Sequence, residues 1–296
     1  MVGSERHSWN VSLHGGHSSG YCDHARDELP AMIGAAIDRG MPVYGISEHA
    51  PRYEERFIYP EETAMGWTLE KIQRDFERYA ADSLQYVREY ADRIQLLRAF
   101  EIEVAPRTEY AARMRVLRDI HRFDYIVGSV HYVNDRLFDH RGMFAGVVQA
   151  VGGLENLAVL YYRTLEEMVV ALRPEVIAHF DVIRKYPGPD PALETPRVRV
   201  AAEQALEAAR VCGAILDVNT GAYRRGSDMP YPASWIVRLA HGMGIPFCFG
   251  DDSHACADVG ADIPRAREYL LEHGVRSIRI LVRQGASIRP EDTPLI

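Results

Sequence analysis

Val43-Tyr44-Gly45-Ile46-Ser47-Glu48-His49 is a short, β-rich run that ends on a histidine, and a helical stretch, Ala31–Arg39, comes before it. A largely apolar run of this length marks a strand buried on both faces, the kind found in a parallel sheet. Strand candidates of the same type recur in both directions along the chain, at Trp9–His14, Leu96–Val104, Tyr125–Tyr132, Val176–Phe180, Ala214–Asn219, Pro246–Phe249 and Ser277–Leu281. Helical stretches fall between them at Leu69–Tyr90, Glu109–Arg122, Asn156–Ala171, Arg197–Cys212, Ala233–Met243 and Ile263–His273. Thr195-Pro196 is a fitting cap and first-turn pair for the Arg197–Cys212 stretch, and Gly213 suits its end. About seven or eight βα units predict a closed parallel α/β barrel, in a single domain over 1–296. The long, Gly-rich connection 134–154 is expected to form a lid or rim.

The 296 residues are 47% hydrophobic and 26% charged, enough for a full core. A net charge of −8 argues against a nucleic-acid groove, so an anionic substrate would have to be drawn by bound metal or by arginines. The four cysteines (Cys22, Cys212, Cys248, Cys256) contain no C-x-x-C pair, which favours a reducing compartment over a disulfide framework. Met1–Ser12 lacks a basic segment followed by an apolar core, and Gln149, Glu155 and Asn156 interrupt the apolar stretch Met143–Tyr162. Neither a leader nor a membrane span is expected, and the location expected is cytoplasmic.

The histidines are placed non-randomly. His14 ends the first strand candidate, His49 the second, His131 the fourth and His179 the fifth, while His254 closely follows the seventh. Glu101 lies in the third, and Asp252 stands beside His254. In a parallel barrel these strand ends converge on one face, where active sites are built. Imidazole with carboxylate is a ligand set for Zn, Fe or Mn, and a bridging Glu lets two ions sit side by side. The segment Leu13–His24 adds His17 and His24 to the same region, whereas His7, His121, His241 and His273 read as surface residues.

The ordered set His14/His17, His24, Ser47-Glu48-His49, Phe100-Glu101-Ile102-Glu103, Gly128-Ser129-Val130-His131, Ala178-His179 and Asp252-Ser253-His254 resembles the PHP (polymerase and histidinol phosphatase) superfamily. Cys22-Asp23-His24-Ala25, Phe123–Tyr132 and Asp217-Val218-Asn219-Thr220 leading to Arg224-Arg225 point to its histidinol-phosphatase branch. The resemblance runs from His14 to Gly260 and implies a distorted TIM-like (β/α)7 barrel with three divalent metal ions, Zn, Fe or Mn. It implies that His14, His17, Glu101 and Asp252 hold the first ion. Glu101 would bridge to a second, held also by His131 and His179, and His24, His49 and His254 would hold the third. Glu103 shares a strand face with Glu101 and is the alternative bridge. The family's first motif is usually H-x-H. Here His14-Gly15-Gly16-His17 would point the two rings to opposite faces of a regular strand, unless the glycines make a bulge or turn.

The implied reaction is phosphomonoester hydrolysis by a metal-bound hydroxide, foremost of L-histidinol phosphate to L-histidinol and phosphate in histidine biosynthesis. Glu101, Asp252 and His254 form the expected catalytic set, and His254, Asp252 or a water would protonate the leaving alkoxide. Arg224 and Arg225 are candidates to grip the phosphate, as are Arg184 and Lys185, and Glu48 or Asp251 are candidates to recognise the cationic part from the rim. The partner expected is a small phosphorylated substrate, with no nucleic acid and no membrane. Three alternatives stand beside this reading: a phosphoesterase for another small ester, an amidohydrolase-type hydrolase, and an inactive metal-stabilised module. The second needs a bridging lysine, which neither Lys71 nor Lys185 is placed to supply.

Overall fold

The largely apolar runs form strands and the amphipathic runs form helices, in the alternation that the pattern predicts. A computed structural model describes residues 7–285 and 287–296; residues 1–6, part of the stretch read for a leader, lie outside it. The strands are β1 (Val43–His49), β2 (Gln95–Glu101), β3 (Val127–Gly128), β4 (Tyr132–Val133), β5 (Arg136–Leu137), β6 (Val176–Ile177), β7 (Ile215–Asn219), β8 (Phe247–Gly250), β9 (Ser277–Gln284) and β10 (Ser287–Pro294). Six of them make one parallel sheet in the order β1-β2-β3-β6-β7-β8. Helices at Leu29–Asp38, Leu69–Glu89, Tyr110–His121, Leu154–Leu172, Pro196–Cys212, Ser234–Gly242 and Ile263–Glu272 surround it, close to the expected bounds. The Thr195 side chain accepts from the Val198 amide, and Gly213, at φ +72°, ends the same helix as expected.

Two strand expectations need correction. Trp9–His14 is not a regular strand, yet its end closes the ring. The Gly45 amide donates to Ser12 O (2.7 Å) and the Ser47 amide to Gly15 O (2.9 Å), on the β1 side. On the β8 side, the Leu13 amide donates to Phe249 O (2.9 Å) and the Asp252 amide to His14 O (2.8 Å). Residues 12–15 are therefore an irregular seventh stave, and the architecture is the distorted (β/α)7 barrel. Ser277–Leu281, the other case, is part of β9, which pairs antiparallel with β10 outside the barrel sheet. Once residues 12–15 occupy the edge of β8, no position remains for an eighth barrel strand.

The 134–154 connection is more ordered than an open loop. It carries β5, which pairs with β4 as a hairpin, and the helix Arg141–Ala150. Among the described residues no single helix is long and apolar enough to cross a membrane.

The closure depends on a close approach at Gly45. The Tyr125 hydroxyl donates to Leu13 O (2.6 Å) directly over this glycine. A Cβ there would collide with the hydroxyl and lie 3.0 Å from Leu13 Cα. Gly45→Ala is expected to destabilise the fold by about 1–3 kcal/mol through overpacking. Tyr125→Phe in the same chain is expected to relieve part of that loss. A double-mutant cycle in denaturant reads the coupling, and strictly additive effects would remove this contact from the closure.

Candidate metal centre

The C-terminal ends of the staves carry the site. His49 and Glu101 are the last residues of β1 and β2 and are register partners. His131 and His179 follow β3 and β6, and Asp252 and His254 follow β8. His179 (φ +23°) and Asp252 (φ +48°) adopt backbone conformations that non-glycine residues rarely hold. Such conformations persist where the surroundings fix them, and they cluster at functional sites. At Asp252 the fixing contacts are its amide on His14 O and Arg224 Nη2 on its own carbonyl (2.6 Å). Gly16, at φ +76°, supplies the turn that the His14–His17 spacing requires. Both rings thus reach one side, with centroids 5.7 Å apart.

Glu101 is 1% exposed and sits at the centre. Its Oε1 lies 3.0 Å from His179 Nε2 and 3.5 Å from both His14 Nε2 and His131 Nε2. Its Oε2 lies 3.0 Å from His49 Nδ1 and 3.8 Å from His17 Nε2. Asp252 Oδ1 is 3.6 Å from His17 Nε2. Glu103 stands farther out, where it bonds His131 Nδ1 (3.2 Å) and accepts from Tyr59 (2.5 Å). Of the two carboxylates on this face, Glu101 has the central place.

These distances suit donors arranged around ions better than donors bonded to one another. His14 Nε2, His17 Nε2, both nitrogens of His49, His254 Nε2 and Glu101 Oε2 are buried without a hydrogen-bond partner. Separations of 3.0–3.8 Å between such atoms are the spacing of neighbouring ligands about a cation at about 2.0–2.2 Å. Donor atoms converge in the groups His14/His17/Asp252, His14/Glu101/His179, His17/His49/Glu101, His49/Glu103/His131 and Cys22/His24/His49/His254. All nine residues expected as ligands fall in these groups, which fit divalent ions.

The charge state favours ligation at Glu101, Asp252, His49 and His254, whereas the rings of His14, His24 and His131 are raised and lose a proton when they bind a cation. Burial opposes ionisation of Glu101, but His14, His131 and His49 outweigh it and hold its carboxyl well below the usual range. Asp252 is likewise held down against burial, by His14 and His254. Burial and the neighbouring His17 push His49 and His254 below the ordinary histidine value, so both rings are neutral donors. His131 is raised to about 9, because Glu103 and Glu101 overcome its burial.

An outer set of groups orients the rings. Asp217 Oδ2 accepts from His14 Nδ1 (2.7 Å), turning Nε2 toward Glu101. Glu48 Oε1 is 3.4 Å from His17 Nδ1, and Glu48 also accepts from the Ser18 (3.1 Å) and His49 (3.0 Å) amides. Glu48 and Asp251, considered for the rim, are 2% and 0% exposed and unavailable to substrate. Asp251 instead accepts from the Ser253 and Gly260 amides. Of the histidines read as surface residues, His121 and His273 are half-buried, the latter with Nδ1 2.7 Å from Tyr269 O. His121 lies against Phe76 and Phe123, and His140, not singled out in the sequence, bonds Glu61 (2.8 Å) at the rim.

A cavity of about 270 Å³ opens over the cluster and is lined also by Arg224, Arg225, Lys185 and Asp139. Arg224 Nη1 is buried without a partner, and Arg225 lies on the wall shared with a neighbouring cavity of about 340 Å³. Arg184 does not reach the cluster. It bonds Asp181 (2.9 Å) and Pro230 O, stacks over Tyr231, and lines only the neighbouring cavity. Lys185 donates to Asp139 (2.8 Å) and Lys71 pairs with Asp75, so neither lysine stands where Glu101 does.

Residues 14–221 match the PHP domain family. A Schizosaccharomyces pombe protein named a probable histidinol-phosphatase is 30% identical, with 90% of this chain and 88% of that one aligned. The Saccharomyces cerevisiae histidinol-phosphatase is 27% identical, with 88% of each chain aligned. In fold, the chain is similar to the Lactococcus lactis histidinol phosphate phosphatase, whose crystal structure is a complex with Zn, L-histidinol and phosphate. The TM-score is 0.69 at 17% identity, covering 94% of this chain and 98% of that one.

The Asp217–His14 contact yields a prediction that does not depend on turnover. Asp217→Asn is expected to weaken metal binding by about 10–100-fold while the protein stays folded. Competition with a chromophoric chelator measures it, and unchanged affinity would deny Asp217 its orienting role.

Proposed function

We propose, from the premise that this chain belongs to the PHP domain family and to its histidinol-phosphatase branch, that it hydrolyses L-histidinol phosphate to L-histidinol and phosphate. The enzyme class is phosphoric monoester hydrolase. The observation that carries the reading is the buried Glu101 ringed by five imidazoles, open to a cavity with two arginines.

His14, His17, Glu101 and Asp252 would hold one divalent ion, Glu101 with His131 and His179 a second, and His24, His49 and His254 a third, the ions being Zn, Fe or Mn. Bound there, divalent ions neutralise phosphoryl oxygens and acidify a water for in-line attack on phosphorus. The chain's own groups do the rest. Arg224, anchored on Asp252 O and near Asp258 (3.7 Å), has Nη1 to offer a phosphoryl oxygen. Arg225 lines the same cavity on the wall shared with its neighbour, and the two guanidiniums compensate charge and fix orientation. Asp252 is held ionised and His254 neutral, and bound cations push both further the same way, so both act as ligands. The proton for the leaving alkoxide then comes from water in the cavity. Its four cysteines, all free, suit a reducing cytoplasm.

Metal-loaded protein is expected to release phosphate from L-histidinol phosphate faster than from a panel of other small phosphate esters. Equal rates across the panel would return the substrate to an unspecified ester. Glu101→Ala is expected to lose nearly all turnover while remaining folded by circular dichroism, and normal turnover would end its bridging role. Arg225→Ala is expected to raise KM about tenfold or more, the size of a lost charge-assisted hydrogen bond; an unchanged KM would remove it from phosphate binding.

A further inference from the structure

We infer that Cys22 is a metal ligand, its thiolate joining His24, His49 and His254 and making that position selective for zinc over manganese. This rests on the reading that those three histidines hold an ion. One donor atom from each of the four residues lies within 4.8 Å of the other three. Cys22 Sγ is 3.3 Å from His24 Nδ1 and 3.7 Å from its Nε2. The thiol is fixed from behind, since Cys22 is 5% exposed and its amide donates to Ser18 O (2.9 Å). The other cysteines have different surroundings. Cys248 is enclosed in β8, Cys212 donates to Val169 O, and the Cys256 amide is tied to Asp27.

The second argument is charge. The other two positions would each have a carboxylate, from Glu101 or Asp252. Three neutral imidazoles around a dication in this partly open position, where His24 is exposed and His49 and His254 are half-buried, would leave its charge uncompensated by any ligand. The nearby carboxylates are directed elsewhere. Asp23 Oδ1 bonds His24 Nδ1 (2.9 Å), and Asp252 Oδ1 lies 3.8 Å from His254 Nδ1, the nitrogen already turned to Asp252 O (2.9 Å). His254 Nε2, the remaining nitrogen of that ring, is buried and unpartnered, as are both nitrogens of His49. A thiolate completes a four-coordinate set of one sulfur and three nitrogens, which suits zinc and disfavours manganese. On binding, the Cys22 S–H bond breaks, its proton leaves to solvent, and the sulfur pair forms the bond to the ion with no change of oxidation state.

Cobalt(II) substitution of the full chain under reducing conditions tests this without reference to turnover. The wild-type protein is expected to show a thiolate-to-cobalt charge-transfer band in the near ultraviolet. Cys22→Ser and Cys22→Ala are expected to lose the band while keeping their visible cobalt spectrum, and to lose about tenfold or more of the zinc-over-manganese preference. A wild-type spectrum lacking the band, or a band that survives in both variants, overturns the inference. If the band is absent but His24→Ala still binds one cobalt fewer than wild type, only the role of Cys22 falls. If His24→Ala binds as many ions as wild type, the metal position falls, and the inference with it.

Discussion

A carboxylate 1% exposed and within 4 Å of five imidazoles is the constraint around which the molecule is arranged. Burying charge is tolerated only where opposite charge or hydrogen bonds converge on it. The protein alone leaves this account open, because Glu101 Oε2 and several ring nitrogens have no partner. The cluster is balanced for cations, and the fold holds the donors apart in readiness for them.

That readiness comes from a set of outer carboxylates on or just past the barrel strands. Asp217 on β7 stands behind His14, Glu48 on β1 behind His17, and Glu103, just past β2, behind His131. Each takes the Nδ1 of an imidazole and leaves Nε2 pointing inward. In a strand, alternate residues share a face, which is how Glu101 and Glu103 serve the same pocket at different depths. Rigid strands therefore set both the donors and their supports, and the rim contributes the arginines.

Much of this was legible in the sequence, because histidines at strand ends of a parallel barrel can only converge. The helices were legible too, from caps such as Thr195 and stops such as Gly213. The fold of the 134–154 connection was not, since a hairpin and a short helix there depend on packing against neighbours. Arg184 was misplaced for a related reason: sequence proximity to His179 could not show that Asp181 and Pro230 would hold its guanidinium. Asp217 had a signal, a charged residue inside an apolar strand, which marks a group needing a buried partner. Glu48 offered the same clue, whereas His140 offered none. The convergence of His14 and His17 turned on a single residue, Gly16, whose conformation a spacing rule permits but does not dictate.

The irregular seventh stave has a thermodynamic consequence. Residues 12–15 zip the ring shut between its first and last strands, and they carry His14 and lead directly to His17. Barrel seam and ion cradle are thus one piece of chain. Whatever ions these histidines grasp also clamp the seam, so ligand occupancy and mechanical integrity form a single equilibrium. A lineage could not relax one without loosening the other.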